Sequence, residues 1–394
     1  MNINPRIEAM ALSPVRKVLD RARQLEQAGR RIVHFEIGEP DFDTPEVIKE
    51  ATKKALDDNL THYGPNRGLI ELRTVISQIL EKENNLTYDP VEEIIVTVGA
   101  AEALVATLGS YITEGDEVII FTPAFMNYRN IIAMFGGTCV GIPLEESEGF
   151  QLNLQRVQSA ITPRTSIIIV NNPHNPTGTL FSSESLAGIA AIAKQNDLLV
   201  ISDEIYQRIT YDGEHCTSIG SMGGMKQRTV TINGFSKSHA MTGWRLGYLA
   251  APKELIIPML KIHQYVNTCA PTFMQRGLSE GLRDPSCDMV VARMVEMFAA
   301  RRKLLVKQLG TIPGLQFSVP KGAFYLFLNV SGTGVNGTEF ASRLLEDKGV
   351  ALVPGEGFDK HFVNYVRISY ATGVEEIERG VRLIREFVEA VLKK

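Results

Sequence analysis

Five short runs in the first two thirds of the chain limit its fold more than any other feature. Glu93–Val98 (EIIVTV), Glu117–Phe121 (EVIIF), Thr165–Val170 (TSIIIV), Leu198–Ser202 (LLVIS) and Arg228–Ile232 (RTVTI) are nearly unbroken stretches of apolar and β-branched residues. A strand with one wet face alternates; a strand that reads this way is covered on both faces. Helical patterns separate the runs, among them Ala100 to about Ser110 after the first. The alternation predicts an α/β fold, a mostly parallel sheet flanked by helices. At 394 residues the chain is longer than one core usually serves. The pattern changes near Pro285, where an amphipathic stretch, Pro285–Leu309, carries Arg293, Arg301, Arg302, Lys303 and Lys307 at its polar positions. Three short strands follow, Ala323–Asn329, Gly349–Val353 and Asn364–Tyr370, with helices at Thr338–Asp347 and Val374–Leu392. This predicts a large domain over 46–284 and a smaller α/β domain formed by 1–45 together with 285–394.

In an open α/β sheet, ligands bind beyond the C-terminal ends of the strands. Asp203 directly follows LLVIS; Asn175 lies in NNPHNPTG just past TSIIIV; Lys237 follows RTVTI by a short loop; Gly99-Ala100-Ala101 opens a helix after EIIVTV. Each has an ordinary explanation. An Asp at a strand end caps the next helix, an Asn in N-P-T-G forms a turn, and a lone Lys, or an Arg such as Arg245 or Arg367, is a solvated surface charge. Taken together they match the needs of one cofactor, pyridoxal 5'-phosphate. It requires a lysine to hold its aldehyde carbon and an acid to keep its pyridine nitrogen protonated. Its phosphate suits a helix N-terminus with help from hydroxyls and an Arg, and its ring needs a flat apolar partner. The chain offers Lys237, Asp203, the Gly99–Ala101 turn, Ser236, Arg245 and Phe125 respectively.

NGFSKSHAMTGWRLGY resembles the cofactor-lysine signature of the class I aminotransferases of fold type I. IGEPDFDTP, THYGPNRGLIELR, NNPHNPTG, SDEIY and YVRISYA resemble that family's other landmarks, in the family's order, and the resemblance covers nearly the whole chain. It implies a homodimer with active sites at the subunit boundary, acting on an amino acid and a 2-oxo acid. Carried over, Lys237 would hold the cofactor and move the proton at the substrate Cα. Asp203 would pair with the pyridinium nitrogen, while Asn175 and Tyr206 would bind the phenolic oxygen. Ser236, Arg245 and the amides near Ala100 and Ala101 would hold the phosphate, with Tyr63 reaching it from the partner subunit. Phe125 would stack on the ring. Arg367 would take the α-carboxylate as a bidentate pair, which Lys does not reproduce, and Gly38 would line the same pocket through its backbone.

One position departs from the aspartate-specialised relatives, which often carry Lys after the strand-end glycine to meet a distal carboxylate. Here the stretch reads Gly99-Ala100-Ala101-Glu102. This favours aromatic or apolar donors over aspartate. A C–S β-lyase would share Lys237, Asp203 and Arg367 and is the nearest alternative. A remote one is a nicotinamide-dependent oxidoreductase, since Gly332-Thr-Gly334-Val-Asn-Gly337 matches G-x-G-x-x-G with Glu356 about 20 residues on. Against it, Gly337 precedes Thr338, read as the helix cap, and too little chain follows for a βαβαβ half. A ligand-sensing regulator would need a DNA-binding module, and no helix-turn-helix precedes the fold.

With 41 basic and 45 acidic residues the formal charge is −4, which gives no general attraction to nucleic acid or an anionic membrane. Cys139, Cys216, Cys269 and Cys287 are far apart, with no metal-binding spacing, as in a reducing compartment. The first thirty residues lack a signal-peptide core, and charges interrupt every apolar stretch before spanning length. A cytoplasmic enzyme without a metal is expected.

Overall fold

The computed structural model describes residues 2–10 and 12–393. Its centre is a seven-stranded sheet of Ile94–Thr97 (β1), Glu117–Thr122 (β2), Thr138–Pro143 (β3), Thr165–Asn171 (β4), Leu199–Asp203 (β5), Thr229–Gly234 (β6) and Gly247–Ala250 (β7). The spatial order is β3-β2-β4-β5-β6-β7-β1. β2, β3, β4, β5 and β6 pair in parallel, whereas β7 runs antiparallel to both β6 and β1.

The unbroken apolar runs now have their cause. Val118, Ile120, Ile167, Ile169, Ile201, Val230 and Ile232 face one buried cluster, packed under the helices Gly99–Tyr111 and Lys253–Asn267. Ile119, Phe121, Ile168, Val170 and Val200 face the opposite one, under Ser183–Gln195. Burying one such side chain contributes roughly 1.5–3 kcal/mol, so a slip of one residue would exchange two filled faces at once. Two strands of this sheet have no counterpart in the sequence pattern. β3 (TCVGIP) is a half-exposed edge strand containing Gly and ending in Pro, and β7 is a four-residue strand opening with Gly.

A second, four-stranded antiparallel sheet has the order Val353–Pro354, Tyr365–Ser369, Tyr325–Asn329, Gln316–Phe317. The expected strand Gly349–Val353 is divided: Val350–Ala351 pairs in parallel with Val33–His34, and only its end joins this sheet. The helices Pro285–Leu309 and Val374–Leu392 span the expected residues. Asp284 accepts the Ser286 amide and Pro285 takes the first helical position, which fixes where the first of them starts.

Arg301 and Arg302 do not lie on a polar face, as the pattern suggests; both are buried. Arg301 forms a two-pronged pair with Asp41 (2.6 and 2.8 Å) and lies over the Phe42 ring. Arg302 does the same with Asp212 (2.7 and 2.8 Å) and Tyr211. A planar guanidinium with a carboxylate at its edge and a ring on its face tolerates burial. Helical periodicity alone does not reveal such partners.

The G-x-G-x-x-G match is a turn. Gly334 has φ +82°, and Asn336, not Thr338, caps the helix Gly337–Lys348 by accepting the Glu339 amide. The strand before it pairs only antiparallel, so no parallel βαβ unit exists there. No helix of the described residues is long and apolar enough to cross a membrane.

Candidate active site

The C-terminal ends of β1, β4, β5 and β6 open on a cavity of about 390 Å³. Most of the residues singled out from sequence bear on this place. Gly38, Ala100, Ala101, Phe125, Asn175, Asp203, Tyr206, Ser236, Lys237, Arg245 and Arg367 line it. Gly99 lies beside it, with φ +75° and the Arg245 guanidinium packed so closely that a Cβ would stand 2.5 Å from Nη2. Tyr63 is not brought there: it is 88 % exposed in the loop after the helix Glu46–Asp57.

β5 delivers Asp203 to the cavity floor. The Asp203 carboxylate is buried, accepts the Tyr128 hydroxyl through Oδ2 and accepts the Ile205 amide through Oδ1 at 3.3 Å. The segment after it is a turn and not a helix, so helix capping does not explain the residue. Asn171, at the end of β4 and in register with Asp203, donates to the Asp203 carbonyl (3.0 Å) and accepts the Asn175 amide (2.9 Å). This fixes the loop that carries Asn175.

The lysine loop leaves β6 at Gly234, and Lys237 Nζ donates to the Gly38 carbonyl at 2.6 Å. Ala240 and Arg245 both hold left-handed backbone, with φ 51° and 54°. Non-glycine residues in that region cost of order 1–3 kcal/mol each and persist where the surroundings over-determine them. Here Trp244 donates to Thr44 Oγ1 (3.0 Å), and Thr44 donates to the Ala240 carbonyl (2.8 Å). The IGEPDFDTP stretch thereby ties down the loop.

At the other wall, Arg367 rises from Tyr365–Ser369. Its Nη2 donates to the Glu36 carbonyl at 2.6 Å and Nη1 to Asn175 Oδ1 at 3.3 Å. The guanidinium lies over the Tyr325 ring, 4.4 Å from its centroid. The Tyr206 and Tyr325 hydroxyls are 3.0 Å apart. A Cβ on Gly38 would stand 2.4 Å from the Tyr325 oxygen, so only glycine fits there without a shift.

Burial governs the charges. It pulls the Lys237 amine down to about 8, with Arg367 and Arg245 pushing the same way and Glu39 and Asp203 opposing. Burial also raises the Asp203 carboxyl above its usual range, against the Tyr128 and Ile205 hydrogen bonds. The Tyr206 and Tyr128 phenols are raised well above their ordinary value by burial and remain protonated. The cavity therefore holds a lysine close to losing its proton and an acid that Lys237 stabilises only from a distance, with no salt bridge among the described residues. An opposite charge at contact distance is what restores such an acid to its ionised form.

These features fit pyridoxal phosphate. The helix Gly99–Tyr111 has no side-chain cap at its start, so its first amides are available beside Arg245 and Ser236. Asp203 suits a ring cation, Lys237 an aldehyde, and Phe125 the ring face. Tyr128, Asn171 and Tyr325 also line the cavity and went unread in the sequence. Tyr128 had one available signal, its place three residues after Phe125 on the next helical turn.

Residues 30–384 match the family model "Aminotransferase class I and II". An aspartate aminotransferase of Pyrococcus abyssi is 43 % identical over 381 residues, 97 % of each chain. Aromatic-amino-acid aminotransferase 2 of Thermococcus litoralis is 40 % identical over all of this chain and 99 % of its own. The solved aspartate aminotransferase of Thermus thermophilus with maleate superposes with a TM-score of 0.94 at 37 % identity, over 98 % of this chain and 99 % of that one. The fold is that of fold type I, and the chain belongs to the class I and II aminotransferases, the pyridoxal-phosphate-dependent transaminases.

Proposed function

From membership of the class I and II aminotransferases, we propose a transaminase that moves the α-amino group of an aromatic or apolar amino acid to a 2-oxo acid such as 2-oxoglutarate. The two half-reactions would alternate on one cofactor in ping-pong fashion. One observation carries the donor preference. Among the described residues lining the cavity, the cations are Lys237, Arg245 and Arg367, and all three are engaged by the cofactor or the α-carboxylate in this reading. Ala101 and Leu104 add no charge for a distal carboxylate, and Phe125, Met126 and Val15 supply apolar wall. Relatives named for aspartate and for aromatic substrates are almost equally similar, so this wall is the better guide.

Pyridoxal phosphate, when bound, supplies an electron sink for the pair left at the substrate Cα. The chain's residues do the rest. Lys237, neutral in a fraction that its lowered pKa enlarges, takes the Cα proton on Nζ and returns it nearby. Asp203 holds positive charge on the ring nitrogen, and Tyr128 keeps that carboxylate oriented. Tyr206 and Asn175 donate to the phenolic oxygen. Arg367 binds the α-carboxylate, freed for it by the weak 3.3 Å bond to Asn175. The working unit would be a homodimer in which Tyr63 reaches the phosphate of the second copy; its exposure in one chain supports this.

The division into domains at 46–284 and at 1–45 with 285–394 belongs to the same proposal. Its support is that the seven-stranded sheet falls wholly within the first range and the four-stranded sheet within the second. A cytoplasmic location is consistent with four unpaired cysteines.

A donor panel with 2-oxoglutarate tests the reading. Glutamate should form fastest from phenylalanine, tyrosine or a large apolar donor. Strong preference for aspartate refutes the donor assignment. Pyruvate and ammonia from a cysteine conjugate, without glutamate, would replace transamination by elimination.

A further inference from the structure

The tripeptide Glu36–Gly38 touches two of the three cavity cations, Arg367 and Lys237. The Glu36 carbonyl accepts from Arg367 Nη2, and the Gly38 carbonyl accepts from Lys237 Nζ, each at 2.6 Å. Backbone pairing nevertheless stops just before it. Val33 and Phe35 donate to the Gly349 and Ala351 carbonyls, and the Phe35 carbonyl accepts the Ser369 amide. Among the described residues, no backbone–backbone bond continues this ladder through residues 36–38.

What holds the tripeptide is a side chain. Glu36 is fully buried, with Oε1 2.8 Å from His34 Nδ1. The other ring nitrogen of His34 lies 3.0 Å from Glu26 Oε1, on the helix Pro14–Gln27. A single imidazolium between two carboxylates thus joins the helix, the strand and the tripeptide. The hydrogen bond to Glu36 raises His34 to about 9, against burial, so the ring carries its charge at neutral pH. Glu36 Oε2 is buried with no partner among the described residues. Burying a carboxylate so incompletely paired is costly, and packing alone would be served better by an apolar residue.

We infer that Glu36, held by His34 and Glu26, is a positioning residue that fixes the Glu36–Gly38 carbonyls against Arg367 and so sets the affinity for the carboxylate of every substrate. This rests on the reading that Arg367 takes the α-carboxylate. Glu36 does not touch the substrate. It acts through its own backbone, whose carbonyl accepts from Arg367 Nη2 and orients the guanidinium.

The test uses the holoenzyme and two unreactive carboxylates, 3-phenylpropanoate and succinate, titrated calorimetrically alongside steady-state kinetics. Glu36→Gln keeps the shape and removes the charge. His34→Gln, at a partly exposed side chain, carries the test if the first variant does not fold. Kd for both probes, and KM for donor and 2-oxo acid, should rise together by about tenfold, with kcat within about twofold. A lowered melting temperature with Kd and KM unchanged would make the trio structural only and overturn the inference. So would a fall in kcat at constant KM. Arg367→Gln, run in parallel, separates the two readings. If it abolishes probe binding while Glu36→Gln does not change it, only the positioning role fails. If probe binding survives Arg367→Gln, the carboxylate assignment fails and takes the positioning role with it.

Discussion

Replacing Arg367 by Lys keeps one positive charge and removes a fork. In the structure the two terminal nitrogens are divided between the Glu36 carbonyl at 2.6 Å and Asn175 Oδ1 at 3.3 Å, and the plane rests on the Tyr325 and Phe358 rings. A bound carboxylate competes for the weaker of the two bonds, while the stronger one fixes the plane. Lys has neither the second in-plane donor nor the flat face. The variant therefore forfeits at least one charge-assisted hydrogen bond, worth roughly 1.5–3 kcal/mol. At about 1.4 kcal/mol per decade this is roughly a ten- to hundredfold loss in kcat/KM. Because every amino acid and every 2-oxo acid presents the same carboxylate, the loss should be similar for all of them. The assay is kcat/KM over a panel of aromatic, aliphatic and acidic donors and at least two acceptors. An Arg367→Lys enzyme within about threefold of wild type, or a loss confined to one donor class, would refute the placement of the carboxylate on this side chain.

Three further outcomes follow from the same geometry. Asp203→Asn removes the negative charge from the cavity floor while keeping the Tyr128 contact possible; kcat should fall by several orders of magnitude with a much smaller change in KM, and a change in KM alone would return Asp203 to a structural role. Lys237 must be neutral to react with an aldehyde, so the second-order rate of cofactor capture by the apoenzyme should rise with pH through about 8; stopped-flow absorbance from about pH 6 to 10 reads it, and a rate still climbing toward the ordinary lysine value would contradict the buried environment. Ala101→Lys places a cation in a wall that otherwise has none for a distal group; the ratio of kcat/KM for aspartate to that for phenylalanine should rise at least tenfold, about 1.4 kcal/mol, and an unchanged ratio would show that the distal group is bound elsewhere.

The sequence made legible those features that one element specifies by itself. Buried strands announce themselves because both faces must be apolar, and the residue at a strand's end inherits its place from the sheet; this is why Asp203, Asn175 and Lys237 were readable together. Contacts between elements were not. Tyr128 matters because its hydroxyl meets Asp203 across 75 positions, and Tyr325 because Gly38 leaves room for it. Arg301 and Arg302 looked solvated because Asp41 and Asp212 lie far away in the chain. The edge strand β3 and the short β7 lacked a core pattern of their own, since one is half-exposed and the other, GYLA, opens with Gly and holds no β-branched residue.

The cavity's electrostatics explain why its residues read against the usual rules for a core. Burial raises the Asp203 carboxyl, so above its unfolded pKa the group works against folding, increasingly until it ionises in the folded chain. Burial lowers the Lys237 amine to about 8, so below that pH the folded chain must hold a charge that the unfolded chain holds more easily; this cost fades only as pH rises toward the unfolded value of 10.5. Both signs are unfavourable at neutral pH, and two residues in left-handed backbone add strain in the same loop. A sequence selected for stability alone would remove all four features. They are compatible with a ligand that brings a cation to Asp203, a carbonyl carbon to Lys237 and an anion to the uncapped helix Gly99–Tyr111. The first two contacts relieve the Asp203 and Lys237 terms and the third meets the free amides of the helix, which is why a poor core at this position is evidence for a site.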